Sequence, residues 1–155
     1  MTAAPNNEDE KFMKQALELA AQAASLGEVP IGAVAVKDGQ IIGRGYNRRE
    51  IDRDPFSHAE FIAMREAAQS VGAWRLTGVT IYVTLEPCAM CAGALVNSRI
   101  GEVVYGAADL KAGALGSRYH LLADPRLNHE CPVSVGVGAD AAADLLRGFF
   151  SGRRT

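Results

Sequence analysis

VTIYVTLEPCAMCAGALVNSRIGEVVYGA, residues 79–107, carries the clearest structural signal in the chain. Its first seven residues, VTIYVTL (79–85), are β-branched, aromatic or apolar throughout, which marks a buried strand. Glu86-Pro87 ends that strand. Pro87 has no N–H to satisfy and a pre-set φ, so it suits the first turn of a helix running to about Ser98. EVVYGA (102–107) reads as the next strand. Strand, helix and strand within about 30 residues make a right-handed βαβ unit with parallel strands.

Working outward, IGAVAV (31–36), Asp38-Gly39 and QIIGRGY (40–46) form a β-hairpin, because Asp-Gly between β-rich runs is a strong two-residue turn signal. Asn7 is placed to cap a first helix, with Glu8, Asp9 and Glu10 at the positive end of its dipole. Phe12, Met13, Ala16, Leu17, Ala20 and Ala24 recur at helical spacing before the stop at Gly27. Residues 47–57 read as loop, and Ser57 to about Val71 as a second helix. Residues 108–130 carry no clear period and are expected to be loop with at most a short helix. PVSVGV (132–137) is a fifth strand, and a last helix at 139–150 carries Leu145, Leu146, Phe149 and Phe150. The expected architecture is α/β: a three-layer α/β/α arrangement with a central five-stranded mixed sheet. Such sheets bind ligands beyond the carboxyl ends of their strands, which directs attention to the junctions at 57–60 and 86–91.

The chain has 155 residues, suited to a single domain spanning 1–155 with a core of about 8–150. With 48% hydrophobic residues and a net charge of −2, a disordered polypeptide is excluded. No apolar run is long enough for a membrane span, and the N-terminus lacks the features of a signal peptide, so a cytoplasmic protein is expected. Sixteen basic against eighteen acidic residues argue against a surface coated in phosphate-binding charge. They leave room for a local basic face at Arg44, Arg48, Arg49 and Arg53, or at Arg153 and Arg154. Three cysteines without an export signal make metal binding or catalysis a better question than a disulfide framework.

The two junctions read Ser57-His58-Ala59-Glu60 and Pro87-Cys88-Ala89-Met90-Cys91. Cys88 and Cys91, three apart in a first helical turn, present both sulfurs on one side at a helix N-terminus, where the dipole favours the thiolate that zinc needs. His58 can supply a third ligand. Three protein ligands leave one tetrahedral position for water, the pattern of a catalytic zinc site. Glu60, beside such a water, can take its proton and later deliver it to a leaving amine, which is the inventory of hydrolytic deamination. Each part has a plainer reading. Ser57-x-x-Glu60 matches a capping box, and Cys-x-x-Cys can be a redox pair or half a structural zinc site. Cys131, His120 and His129 lack ligand spacing and are treated as non-ligands.

His-x-Glu together with Pro-Cys-x-x-Cys is the signature of zinc nucleobase deaminases. The sequence resembles the cytidine-deaminase-like superfamily, and more closely the bacterial tRNA-specific adenosine deaminases. That closer resemblance rests on EVPIGAV (28–34), GYNR (45–48), DPFSHAE (54–60), YVTLEPCAMCAGAL (82–95) and SRIGEVVYGA (98–107). Lys111-x-Gly113-x-x-Gly116-Ser117, Asn128-His129 and Phe149-Phe150 complete it. It implies one Zn2+ per chain held by His58, Cys88 and Cys91, with Glu60 as general acid/base. It implies as substrate the adenosine at the wobble position of a tRNA anticodon stem-loop, and a homodimer. Asn47 matches an asparagine that contacts the target nucleoside, although it can equally end the hairpin strand. Val29, Pro87 and Phe149 would border the base, and Arg48, Lys111, Arg153 and Arg154 would meet phosphates. Phe149 and Phe150 also suit the core of the last helix. Gly148 and Gly152 depart from the longer, more basic C-terminal helix common in the family. The rivals are a zinc deaminase of a free base or nucleoside (guanine, cytosine or cytidine) and a non-catalytic zinc-stabilised RNA-binding module.

Overall fold

Asp38 and Gly39 both take positive φ, 50° and 75°, as a type I′ turn requires. They join β1 (Gly32–Lys37) to β2 (Gln40–Tyr46) as the expected antiparallel hairpin. The computed structural model describes residues 6–152. Within it, β3 (Thr80–Leu85), α3 (Ala89–Asn97) and β4 (Glu102–Ala107) form the expected unit with β3 and β4 parallel. β1 pairs antiparallel with β3, and β5 (Val133–Val135) adds a short parallel edge beside β4. The sheet order is β2-β1-β3-β4-β5, a five-stranded mixed sheet as anticipated.

Period-two alternation divides the core between the faces. Val34, Val36, Tyr82 and Val104 point to one side and pack against Phe12, Met13 and Ala16 of α1 (Asn7–Ser25). Ala33, Ala35, Ile81, Val83 and Val103 point to the other, against Ala63, Met64 and Ala67 of α2 (Ala59–Val71) and Leu95 of α3. α4 (Ala139–Ser151) joins α1 on the first side. These are the three layers. The buried stripe of α1 ends on Ala23 rather than Ala24.

Local chemistry moves several boundaries. The cap of α1 is Asn6, not Asn7: its Oδ1 accepts from the Asp9 amide at 2.8 Å. α2 starts at Ala59 with His58 as its N-cap, and the Ser57 hydroxyl donates to Asp52 Oδ2 at 3.0 Å. The capping-box reading of Ser57 is therefore overturned, because that hydroxyl ties the preceding loop instead. Pro87 lies before α3 rather than in its first turn, since Cys88 is the N-cap. β5 spans only three residues because Gly136 and Gly138 adopt positive φ immediately after it. In α4 only Ala142 is fully buried; Phe149 is half-buried and Phe150 is 47% exposed, so the core reading of these rings holds only in part. Among the described residues, no helix is long and apolar enough to cross a membrane.

Candidate active site

Two strand ends and two helix starts converge to build the site. β2 has glycine at position 45, against the first turns of α2. A Cβ there would overlap Ala59 O and would come within 2.9 Å of Ala63 N and Ile62 Cβ. The missing side chain lets α2 lie close on the sheet and carries His58 and Glu60 inward. On the other side, β3 runs through Glu86 and Pro87 into the start of α3, where Cys88 and Cys91 sit one turn apart.

The three expected ligands meet. His58 Nδ1 lies 3.7 Å from Cys88 Sγ and 3.5 Å from Cys91 Sγ, and the three ligand atoms all fall within 4.8 Å of one another. Tetrahedral zinc with Zn–S of about 2.3 Å and Zn–N of about 2.05 Å separates an N and an S ligand by about 3.6 Å. The donor set and spacing fit that ion. Among the described residues, no other group of three His, Cys, Asp or Glu side chains is arranged to hold a metal. His129 instead places Nε2 2.7 Å from Ile100 O, and Cys131 lies apart from the cluster.

The clustered groups perturb one another strongly. Hydrogen bonding with Cys91 and His58 outweighs burial and holds the Cys88 thiol far below its ordinary value. Hydrogen bonding to Cys88 together with burial pushes Cys91 up. The Cys88 thiolate raises His58 against the opposing effect of burial. Glu60 is 4% exposed, and burial raises its carboxyl while His58 partly offsets the shift. A carboxyl whose proton affinity is raised by burial is better able to accept and hold a proton.

A cavity of about 180 Å³ opens over this cluster. It is smaller than the roughly 300–1,000 Å³ typical of drug-sized ligands, so it suits one heterocycle. Val29, Ile31 and Leu85 line it with apolar surface; Asn47, Arg49, Glu60, Glu86 and Asp109 add polar groups. Asn47 Nδ2 donates to Val29 O at 3.3 Å, and its Oδ1 accepts from the Arg49 amide at 3.1 Å. One further N–H and one lone pair of that carboxamide are left for a guest.

The other expected contacts are placed differently. Pro87 is buried beneath the site, its carbonyl accepting from the Ala114 amide at 2.9 Å, and does not line the cavity. Arg48 turns away: it pairs with Asp52 at 3.1 Å, donates to Tyr46 Oη at 2.8 Å and stacks on that ring. Its neighbour Arg49 reaches the cavity instead. Lys111 is exposed on the loop that supplies Asp109 and Ala112 to the wall. Phe149 lies in a groove between α1 and α4, beside Leu17, Ala24 and Leu145. Arg153 and Arg154 lie outside the described residues.

Sequence reasoning passed over two buried carboxylates. Glu28, 1% exposed, accepts from the amides of Glu50 and Ile51 at 3.2 and 2.7 Å, anchoring the loop that bears Arg49. Glu86, 2% exposed, accepts from residues 109–117. Burial would raise the Glu86 carboxyl, but hydrogen bonds from Ser117, Asp109 and Leu115 hold it below the usual range. The available signal was a pair of acidic residues, Glu28 and Glu86, inside otherwise apolar runs.

The chain matches the MafB19-like deaminase family across residues 7–154. A tRNA-specific adenosine deaminase of Haemophilus influenzae is 50% identical over 147 residues, covering 94% of this chain and 85% of that relative. A solved structure from work on A-to-I editing by tRNA:A34 deaminases at the wobble position of transfer RNA superposes with a TM-score of 0.85. It is 42% identical, over 88% of this chain and 99% of its own. A guanine deaminase from Bacillus subtilis is 41% identical over 67% of this chain and 66% of its own, with a TM-score of 0.63.

Proposed function

The chain belongs to the MafB19-like deaminases and to the tRNA-specific adenosine deaminases, and from that premise we propose that it hydrolyses the wobble adenosine of a tRNA anticodon loop to inosine. The observation that carries the reading is the triad of His58, Cys88 and Cys91 within 4.8 Å, below a base-sized cavity lined by Glu60.

A zinc ion held by His58 Nδ1, Cys88 Sγ and Cys91 Sγ, one per chain, would supply Lewis-acid activation of a water molecule. Glu60 takes the water proton and delivers it to the departing amine. Oxygen ends on C6, the C6–N bond breaks and ammonia leaves. Val29, Ile31 and Leu85 bed the base on apolar surface, and the remaining donor and acceptor of Asn47 read its edge. A loop nucleotide can be splayed into so small a cavity because it costs little to unstack. Lys111, Arg153 and Arg154 are assigned to backbone phosphates, with Arg49 at the rim in the place expected of Arg48. The unit acts as one domain, as a homodimer, in the cytoplasm. Leu110 and Tyr119, 77% and 62% exposed on the loop flanking the cavity, support a partner surface, which light scattering would test.

The resemblance to a guanine deaminase favours free guanine as the second reading. Incubation with an anticodon stem-loop and with free bases separates the two: inosine in RNA supports the first, and ammonia from guanine with inert RNA overturns it. Glu60→Gln keeps the side-chain shape but removes the proton carrier. Deamination at near wild-type rate in that variant would refute the mechanism. Stoichiometric zinc lost with Cys88→Ala would exclude a thiol redox protein.

A further inference from the structure

We propose that Glu86 is a positioning residue for this reaction, its buried carboxylate fixing the 109–117 loop as one wall of the base cavity. Oε1 accepts from the Asp109 amide at 3.0 Å and from the Ser117 hydroxyl; Oε2 accepts from the amides of Leu115 and Ser117, each at 3.0 Å. Every group facing the carboxylate is a donor. Only an acceptor-only side chain satisfies all four, and a carboxamide of the same size would turn an N–H against an N–H. Among the described residues Glu86 forms no ion pair, so these hydrogen bonds alone compensate the burial of its charge.

The loop is built to receive it. Gly113 lies directly on the carboxylate, where any Cβ would collide with it, and it bridges to Cys88. The neighbouring Ala114 amide donates to Pro87 O. The segment bearing Cys88 and the loop bearing Asp109 and Ala112 are thus locked together around one side chain, while both line the cavity. Glu86 acts through the loop and performs no proton transfer. Loosening it frees a wall of the pocket and leaves His58, Glu60, Cys88 and Cys91 in place.

The assignment rests on the deaminase reading for its substrate, but its geometry can be tested separately. Glu86→Gln is expected to retain one zinc per chain. Losing a charged acceptor from buried amides should speed hydrogen exchange at Leu115 and Ser117 by about 10- to 100-fold, with amides of α2 unchanged. KM for the anticodon stem-loop should rise about tenfold or more while kcat stays within about threefold, because the loss is one of binding. Ser117→Ala, which removes one donor only, should give a smaller change, and little more when added to Glu86→Gln. Unchanged exchange at 109–117 with unchanged KM would overturn the proposal. So would loss of zinc with global acceleration of exchange, which would make Glu86 a support of the metal segment. If the wild-type chain is inert on RNA, the functional reading fails, and exchange at Leu115 and Ser117 still decides whether the clamp exists.

Discussion

Gly45→Ala puts a single methyl where the fold has no space for one. It would overlap Ala59 O and sit 2.9 Å from both Ala63 N and Ile62 Cβ, where real Cβ atoms keep at least 3.0 Å. Two of these obstacles are helix backbone and cannot rotate aside, so β2 and α2 must part. Overpacking of this kind costs about 1–3 kcal/mol. For 155 residues that amounts to a fall of roughly 3–10 °C in Tm. The same shift moves the start of α2, and a displacement of about 1 Å at a reacting group can cost about 100-fold in rate. His58 and Glu60 ride on that start, so kcat should fall by more than the stability loss alone explains at a temperature where the variant is fully folded. Gly148→Ala is the control: nothing lies within 4 Å of the added methyl, and in a helix interior the change should stabilise by about 0.5–1 kcal/mol. Thermal unfolding and single-turnover kinetics measure both. Gly45→Ala with wild-type Tm and kcat would refute the claim that close helix–strand approach places the catalytic groups.

Tyr82→Phe removes the hydroxyl that donates to Asp9 Oδ1 at 2.8 Å on the opposite face of the sheet. Leaving that buried carboxylate without its partner should cost about 1.5–3 kcal/mol by urea unfolding and leave kcat/KM unchanged; a change in kcat/KM would show that the two faces are coupled. Cys131 is raised to about 11 by burial and by the nearby Glu102 charge. The deprotonated form lies above that value, so at pH 8 only about 0.1% is thiolate. Its alkylation should run more than 100-fold slower than that of a free cysteine and rise about tenfold per pH unit until near 11. Mass spectrometry after iodoacetamide treatment reads this directly, and rapid labelling at pH 8 would contradict it.

What the sequence made legible follows short-range chemistry. The Asp38-Gly39 turn, the strands on either side of α3 and the His58, Cys88 and Cys91 set are encoded within a few residues of one another or in a motif with fixed spacing. Ser57 does not cap α2, because capping was only one local option for its hydroxyl, and Asp52, five residues back, offered a charged acceptor. The 108–130 stretch is loop, as expected, but its internal order was hidden for a related reason. Part of its order comes from Glu86, 23 to 31 residues away, and a loop wrapped on a buried carboxylate has no periodicity to detect. Arg49 rather than Arg48 reaches the cavity because Arg48 is drawn to Asp52 and Tyr46, a choice that depends on how the loop folds back.

The proposed reaction is deamination of one flipped adenosine in RNA. It is tested most directly by sequencing total tRNA after incubation with the zinc-loaded chain. Adenosine should be read as guanosine at the wobble position alone, and not after incubation with Glu60→Gln. Unaltered tRNA, or conversion spread over many adenosines, would contradict it.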